Sequence, residues 1–296
     1  MQATNTPDLT SRPTATQRPA FPAAWSSAIT QPFTASLIAE PEEAYAAGRR
    51  DNLSSHALNE FRRNPRLYRQ KQLGLVVEEE RAAFVIGRAA HCRTLEGETE
   101  FRRRFAIGGP INPKTGKSFG QDTKAYAEWA VAIGKPAISQ DTADLCDRLA
   151  HAVREHDAAA ALLGEGQAEG VVRAEYGGIA SQIRIDWTHP ERGIIDLKTI
   201  DDLDYFELQA RSFGYAHQLA FYRAILAQVA GRKPEVHVIA VEKKEPFRVG
   251  VWRFSDQVLD AAARDNQAAI ERLKVCRAQD CWPTGYEAVR SFDYLA

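Results

Sequence analysis

The chain has 296 residues, enough for one large domain or two small ones, and its apolar and charged shares of 44% and 26% are ordinary for a globular protein. No apolar run approaches the roughly 18 residues that a membrane span needs, and the start of the chain lacks the basic and apolar segments of a secretory signal. The formal net charge of −1 neither favours nor excludes nucleic acid, because a binder needs basic patches rather than a positive total.

The start of the chain and its cysteines set two expectations. Residues 1–35 are rich in Thr, Pro, Ala and Gln and are predicted to form a disordered leader, which leaves residues 36–296 as the folded domain. The cysteines form no CxxC pair and no export signal is present, so reduced thiols in a cytoplasmic protein are predicted. These cysteines are Cys92, Cys146, Cys276 and Cys281.

The first half of the domain is predicted to be helical. Residues 51–74 combine a loose apolar stripe with Ser54 or Ser55 as a candidate N-cap, and they are predicted to form one helix. The turn-rich residues 108–120 are predicted to form a loop. Further helices are predicted over residues 78–96, 122–133 and 141–163.

Short β-prone segments separated by turns dominate from residue 170 onwards. The first three are predicted to pair as a meander, followed by helices within residues 205–230, two more strands and a last helix over residues 256–278. This order predicts an α/β core sheet with a helical N-terminal addition. The predicted strands are residues 170–176, 181–187, 193–197, 236–241 and 248–254.

The segment IRIDWTHPERGIIDLKTI carries the most informative group of polar residues. Asp186 ends one predicted strand and Asp196 ends the next, so the tight turn between the strands brings two carboxylates together. Lys198 shares a face with Asp196, whereas Leu197 points into the core and leaves its carbonyl as an oxygen ligand. Two close carboxylates repel unless a cation lies between them, and Mg²⁺ is commonly held by carboxylates and phosphate. The arrangement therefore predicts metal-assisted hydrolysis of a phosphodiester, with a lysine that orients or deprotonates water.

A D-x-K triplet is weak evidence alone, because about one is expected by chance in a chain of this length. Asp122-Thr-Lys124 and Glu242-Lys-Lys244 are similar triplets, but neither follows a strand that ends in an acidic residue. The position of the Asp196 triplet therefore distinguishes it from the other two.

A polar stripe on a predicted helix is the second unusual feature. Tyr215, Gln218 and Tyr222 fall at positions i, i+3 and i+7, so they share one face of the helix. A glutamine between two tyrosines on an otherwise apolar helix is unusual for core packing. The stripe therefore predicts side chains that support a site or reach solvent.

Taken together, D…IIDLKT…GYxxQLxxY resembles the nuclease signature of RecB-like and RecE-like exonucleases of the PD-(D/E)xK superfamily. The order of LSSHALNEFRRNPRLY, GRAAH, AEY, RIDW, IIDLKT and GYAHQLAFY over residues 52–290 resembles the RecE (exonuclease VIII) type. The resemblance implies a restriction-endonuclease-like α/β core, with a mixed central sheet flanked by helices and a helical N-terminal part.

The resemblance implies a metal centre made from two parts of the chain. His91 on an N-terminal helix would be one ligand, and an imidazole suits Mn²⁺ better than Mg²⁺. Asp186 and Asp196 would be the carboxylate ligands. The carbonyl of Leu197 would complete the protein's share of the shell around Mg²⁺ or Mn²⁺.

The remaining matched residues would carry out or support the reaction. Lys198 would be the catalytic lysine of a one-metal or two-metal mechanism. Gln218 and Tyr222 would support the site or contact DNA. Glu175 would be the acidic residue on the strand before Asp186.

The resemblance also implies a biological setting. An exonuclease of this type digests double-stranded DNA from its ends in the 5′→3′ direction and leaves a 3′ tail for a single-strand annealing, RecT-like partner. A ring-like homo-oligomer in the cytoplasm of a bacterium or phage-infected cell is implied. Basic residues could contact phosphates or form solvated helix faces. They are Arg62, Arg63, Arg66, Arg69, Lys71, Arg102, Arg103, Arg104, Lys114 and Lys117.

Two other interpretations fit parts of the pattern. Iron–sulfur nucleases of the AddB or CRISPR-adaptation type share the D…DxK…QxxxY core, but those nucleases combine one N-terminal cysteine with three clustered C-terminal cysteines. Here only Cys276 and Cys281 lie near the C-terminus. A catalytically inactive DNA-binding module of the same fold is the non-enzymatic alternative, although every motif residue is present.

Overall fold

A computed structural model describes residues 31–76, 82–120 and 122–291. Phe33 is buried in the larger of two hydrophobic cores, so the folded part begins within residues 1–35, which were predicted to be a disordered leader. A helical N-terminal part follows, as predicted. Its helices are α1 (Glu42–Gly48), α2 (Ser55–Arg63), α3 (Pro65–Gln72), α4 (Ala82–His91), α5 (Gly97–Arg104), α6 (Lys124–Ile133), α7 (Gln140–Glu155) and α8 (Asp157–Leu163).

The single helix predicted over residues 51–74 is wrong, because the chain forms two helices that meet at Asn64. Asn64 has an extended backbone with φ −154° and ψ 91°, and its Oδ1 accepts a hydrogen bond from the Leu67 N–H at 3.0 Å. A proline disfavours helical conformation in the residue before it and is well tolerated in the first turn of a helix. Pro65 therefore ends α2 and starts α3.

Two other predicted helices are also divided. The helix predicted over residues 141–163 breaks at His156, whose Nδ1 accepts a hydrogen bond from the Ala159 N–H at 3.3 Å and caps α8. Residues 77–81 lie outside the described residues, so the predicted start of the 78–96 helix does too. The described part is α4 followed by a π-helical turn at Cys92–Glu96.

A five-stranded mixed sheet forms the centre of the fold and confirms the predicted α/β class. The first three strands form the predicted antiparallel meander, the next pairing is parallel and the last is antiparallel. A short parallel pair was not predicted, β1 (Ala106–Ile107) with β2 (Ala137–Ile138). The strands of the sheet, in spatial order, are β3 (Gln167–Tyr176), β4 (Ile179–His189), β5 (Gly193–Ile200), β6 (Glu235–Glu242) and β7 (Val249–Arg253).

Helices cover both faces of this sheet. The larger core lies between the sheet and helices that include α2, together with α9 (Phe206–Phe213), α10 (Tyr215–Ala230) and α11 (Asp256–Gln279). The smaller core lies on the other face, between the sheet and α4, α7 and α8. No helix in the described ranges combines the length and the apolar character that crossing a bilayer requires. Asp186, Asp196 and Lys198 lie between the two layers of helices, where β4 and β5 separate.

Candidate metal centre and active site

Strand β5 contributes the central pair of the candidate site. Ile195 and Leu197 are buried in the smaller core, so Asp196 and Lys198 occupy the opposite face of the strand. The Lys198 Nζ lies 2.6 Å from Asp196 Oδ2, and the side chain of Asp196 is only 2% exposed. The predicted pairing of this carboxylate and this lysine on one face is therefore present in the structure.

Asp186 reaches the same place because the β4–β5 ladder stops there. The last strand pair before the site is Trp187 with Ile195, so Asp186 and Asp196 come next in that register. The Leu197 N–H donates a hydrogen bond to Asp186 Oδ2 at 2.9 Å. The side chain of Asp186 thus occupies the gap between the diverging strands and lies beside the residue that follows Asp196.

The backbone of β4 also turns at Asp186. Residues two apart in a regular strand share a face, yet Ile185 belongs to the larger core and Trp187 packs against the smaller one. This change of face places the intervening carboxylate between the two layers. It can therefore be approached from α4, which lies on the smaller-core face.

His91 approaches Asp186 from the last residue of α4. Its Nδ1 lies 3.4 Å from Asp186 Oδ2, and both side chains are about one fifth exposed, at 23% and 18%. The π-helical turn that follows His91 is the kind of helix irregularity often found at functional sites. The structure therefore brings together two residues that lie far apart in the sequence, as predicted.

Helix α10 covers the site from the larger-core face. The Gln218 Nε2 donates toward Asp196 Oδ1 and toward the Tyr222 hydroxyl, each at 3.4 Å. Tyr222 is buried, and Tyr215 places its ring centre 4.9 Å from the Lys198 Nζ. The predicted stripe of Tyr215, Gln218 and Tyr222 therefore faces Asp196 and Lys198.

Glu169 is a further carboxylate of the site that the sequence analysis missed. It lies on β3 opposite Asp186 in the register kept by the pairs on either side, and its positive φ of 57° interrupts the ladder at this point. Its Oε2 lies 2.6 Å from the Arg184 Nε. Three neighbouring strands therefore present Glu169, Asp186 and Asp196 at corresponding positions.

The predicted acidic residue Glu175 is not brought to this group. It pairs with Ala180 next to the β3–β4 turn and is exposed. The β3–β4 turn sets the pairing of the two strands, because Gly177 and Gly178 form a two-residue hairpin connection with φ of 59° and 79°. Counting back along both strands from that turn pairs Glu169, rather than Glu175, with Asp186.

Burial and mutual repulsion control the charges of this group. Burial raises the pKa of Asp196 to about 6, although the Lys198 ammonium opposes the rise and Asp186 adds to it. Burial and the charge of Asp186 raise the pKa of Glu169 to about 8, against the attraction of Arg184. Burial would lower the pKa of Lys198, but Asp196 and Asp186 outweigh it and raise that pKa. The three carboxyl groups therefore resist being ionised together unless further positive charge enters the site.

The donor atoms of the site suit a hard divalent cation. Asp196 Oδ2 is buried beside the Lys198 ammonium without a hydrogen bond of normal geometry in the part of the chain that the structure describes. Within the same ranges, no three His, Cys, Asp or Glu side chains converge closely enough to enclose an ion by themselves. Such a set fits an ion that keeps several waters and takes further oxygen ligands from phosphate, as Mg²⁺ does.

The cysteines are distributed over both cores. Cys92 and Cys146 are buried in the smaller core, Cys276 is buried in the larger one and Cys281 is exposed. Burial raises the pKa of Cys92 and of Cys146 to about 12, which favours the unreactive thiol form. None of these sulfur atoms belongs to the group of residues around Asp196.

The predicted basic clusters differ in how they are paired. Arg102, Arg103 and Arg104 form ion pairs with acidic residues of the same helical region, which favours the solvated-face interpretation for them. In contrast, Arg62 of α2 donates a hydrogen bond to Asn59 Oδ1 on the same helix, and Arg63 reaches the end of α9. The Arg63 Nη2 donates to the Ser212 carbonyl at 2.6 Å and its side chain is otherwise exposed. Positive charge therefore lies next to the helix that carries Gln218 and Tyr222.

Comparison with known proteins places this geometry in a family. Residues 54–293 match the family model described as PDDEXK-like domain of unknown function (DUF3799). A provisionally assigned exonuclease from Eubacterium rectale has a similar structure, with a TM-score of 0.63 at 16% identity over 87% of this chain and 97% of that one. A phage-related exonuclease from Haemophilus somnus 129PT is less similar in structure, with a TM-score of 0.35 at 13% identity over 77% of this chain and 96% of that one.

Functionally curated proteins give no significant match. The match to the family model nevertheless spans most of the chain and includes His91, Asp186, Asp196 and Lys198. The resemblance to PD-(D/E)xK proteins that the motifs indicated is thus supported by the family model and by the fold. The chain belongs to the PDDEXK-like family.

Proposed function

We propose that this protein is a metal-dependent exodeoxyribonuclease that digests double-stranded DNA from its ends. The observation that carries the proposal is the placement of Asp196 and Lys198 on one face of β5, 2.6 Å apart, with Asp186 at the adjoining strand gap. Carboxylates that repel one another and a lysine beside them are what metal-assisted phosphodiester hydrolysis requires. Membership in the PDDEXK-like family supports the same class of reaction.

The side chains that would hold the metal are His91, Asp186 and Asp196, together with the carbonyl of Leu197. A bound Mg²⁺ or Mn²⁺ would neutralise charge on the scissile phosphate and lower the pKa of a coordinated water. Glu169 faces Asp186 and would add negative charge to the same centre when it ionises.

The other residues of the site would orient the reacting groups. Lys198 presents an ammonium that can donate a hydrogen bond to an attacking water or to the charged phosphate oxygens. Gln218 keeps the Asp196 carboxylate in place through its Nε2, and Tyr222 supports Gln218 from the buried side. Tyr215 limits the positions open to the lysine, because its ring lies beside the Lys198 Nζ.

The finer properties come from the resemblance to the RecE type. A 5′→3′ polarity, a 3′ single-stranded product, a ring-like homo-oligomer and a RecT-like annealing partner would make the protein part of single-strand-annealing recombination. A phage or prophage would be the natural source of such a system. The phosphate contacts of such an enzyme would weaken steeply as salt concentration rises.

Linear double-stranded DNA labelled at the 5′ end in one sample and at the 3′ end in another provides the test. We expect early loss of the 5′ label with Mg²⁺ or Mn²⁺, no loss with chelator and no cutting of a closed circle. Cutting of the circle would indicate an endonuclease on the same fold. Absence of cleavage with every divalent metal, together with retained DNA binding, would indicate the inactive binding module instead.

A further inference from the structure

A series of aromatic rings connects the candidate catalytic lysine to the protein surface. The Lys198 Nζ lies 4.9 Å from the Tyr215 ring centre, and the ring centre of Phe213 lies 6.0 Å from that of Tyr215. On the inner side, Phe206 lies 6.3 Å from Tyr215 and stacks on Trp252 at 4.0 Å. Phe213 is the outer end of this series, and 54% of its surface is exposed.

The exposure of Phe213 is unexpected from its position on α9. Phe206 and Ala210 are buried, and Phe213 follows them at i+7 and i+3, which places it on the same side of the helix. A residue on that side would ordinarily be covered. Gly214, with φ 75°, then turns the chain directly into α10. Phe213 is therefore the last residue of α9, directly before the helix that carries Gln218.

The surroundings of Phe213 carry positive charge. The exposed Arg63 donates to the carbonyl of Ser212, the residue before Phe213, at 2.6 Å, and Arg211 is exposed on the same helix. Arg62 lies beside Arg63 and donates to Asn59 Oδ1 at 2.8 Å. On the α11 side, Asp265 is 3.2 Å from His217 Nε2 and offsets part of this charge.

We propose that Phe213 is a stacking platform for an unpaired base of the DNA strand held at the active site. This inference rests on the proposed nuclease function and names a contact of that same site. Exposed aromatic rings beside arginines are the usual means of holding single strands without sequence preference. Stacking on Phe213 would hold an end nucleotide away from its pairing partner, while Arg63 contacts the backbone phosphate.

Continuity with the candidate site favours a nucleic-acid strand over a second copy of the chain as the occupant. Two ring contacts separate Phe213 from the Lys198 Nζ, and the neighbouring arginines match a phosphate backbone in charge. Leu208 on the same helix is 62% exposed but has no aromatic ring, so it provides a matched control.

The test measures DNA binding in an Asp196→Asn background, so that the substrate survives. Duplexes carry a single-stranded overhang of either polarity, with an abasic residue introduced at one end nucleotide at a time. We expect Phe213→Ala to weaken DNA binding roughly 5- to 100-fold. Phe213→Tyr, which keeps an aromatic ring, and Leu208→Ala should both bind as tightly as the parent protein. An abasic residue at the stacked position should weaken DNA binding by the parent protein as much as Phe213→Ala does. The same abasic residue should not weaken binding by the Phe213→Ala variant any further.

Equal binding by Phe213→Ala and Leu208→Ala, or additive losses from Phe213→Ala and the abasic residue, would overturn the inference. A concentration-dependent dimer that Phe213→Ala abolishes would also overturn it, since a second copy would then cover the ring. These results leave the proposed nuclease function intact when the wild-type protein still cuts linear DNA. Failure of wild-type protein to cut or bind any DNA would instead remove the proposed function, and this inference with it.

Discussion

Asp186 accepts a hydrogen bond from the backbone N–H of Leu197 at 2.9 Å, in the gap where β4 and β5 separate. A side chain thus satisfies a backbone donor that a regular ladder would have paired with a carbonyl. The same contact fixes the carboxylate next to the strand that carries Asp196 and Lys198. Structure and proposed chemistry therefore depend on one atom, Asp186 Oδ2.

Replacing Asp186 should separate these two roles. Asp186→Ala leaves the N–H of buried Leu197 without its acceptor, so the free energy of unfolding should fall by about 1–3 kcal/mol. Asp186→Asn retains an oxygen acceptor and should lose less stability, yet both variants should lose cleavage. Urea unfolding in the presence of chelator checks this, and equal stability of the two variants would contradict it.

Asp196→Asn should abolish cleavage while DNA binding survives. The substitution removes the buried charge that faces Lys198, and the amide is nearly the same size. Asp122→Asn is the matched control, because Asp122 begins another D-x-K triplet but is exposed on a different part of the chain. Full activity of Asp196→Asn in the end-label assay would remove the site assignment.

Tyr215 should matter through its ring rather than its hydroxyl. A cation beside an aromatic face gains about 0.5–2 kcal/mol, so Tyr215→Leu should lower kcat roughly 2- to 30-fold as Lys198 loses its fixed position. Tyr215→Phe keeps the ring and should retain most of the rate. Single-turnover cleavage at saturating DNA separates this effect from binding, and an equal loss in both variants would point to the hydroxyl instead.

Glu169 should make the metal-free protein less stable as pH rises. Burial and the charge of Asp186 raise its pKa in the folded protein from 4.5 to about 8. Between these two pH values the folded state therefore binds more protons than the unfolded state. Its contribution to stability is therefore fully present below about pH 4.5 and is lost as pH rises through about 8. Glu169→Gln should flatten this fall by about 1 kcal/mol or more.

Thermal unfolding in chelator between acidic and mildly alkaline pH measures that difference. Glu175→Gln is the control, because Glu175 is exposed at the far end of the same hairpin. If the wild-type protein and Glu169→Gln show parallel pH profiles, Glu169 is not the group that titrates.

Local sequence predicted the parts of the site that depend on one strand pair or one helix. The turn between Asp186 and Asp196, the two-residue spacing to Lys198 and the stripe on α10 all follow from short-range geometry. Phe213 could not be identified in this way, because its exposure depends on how α9 meets the sheet. The break at Asn64, in contrast, is a local property of the sequence, because Pro65 disfavours helix at the residue before it although the apolar stripe continues past it.

The separation of Glu175 from Asp186 has a different cause. The prediction of Glu175 followed the resemblance, in which an acidic residue on the strand before Asp186 is expected, but two glutamates of β3 satisfy that description. Register selects between them, and register is a property of the hairpin as a whole rather than of either residue. The turn of the hairpin therefore determines which carboxylate of β3 lies opposite Asp186.

The Gly177–Gly178 turn consequently constrains the centre from a distance. Gly178 lies eight residues along β4 from Asp186, roughly 26 Å at the usual rise of a strand. An insertion or deletion of one residue in this turn would shift β3 against β4 and move Glu169 out of opposition to Asp186. An insertion in this hairpin preserves the site only if the numbers of residues from the turn to Glu169 and from the turn to Asp186 stay equal. The length of a remote turn therefore helps to determine the geometry of the site.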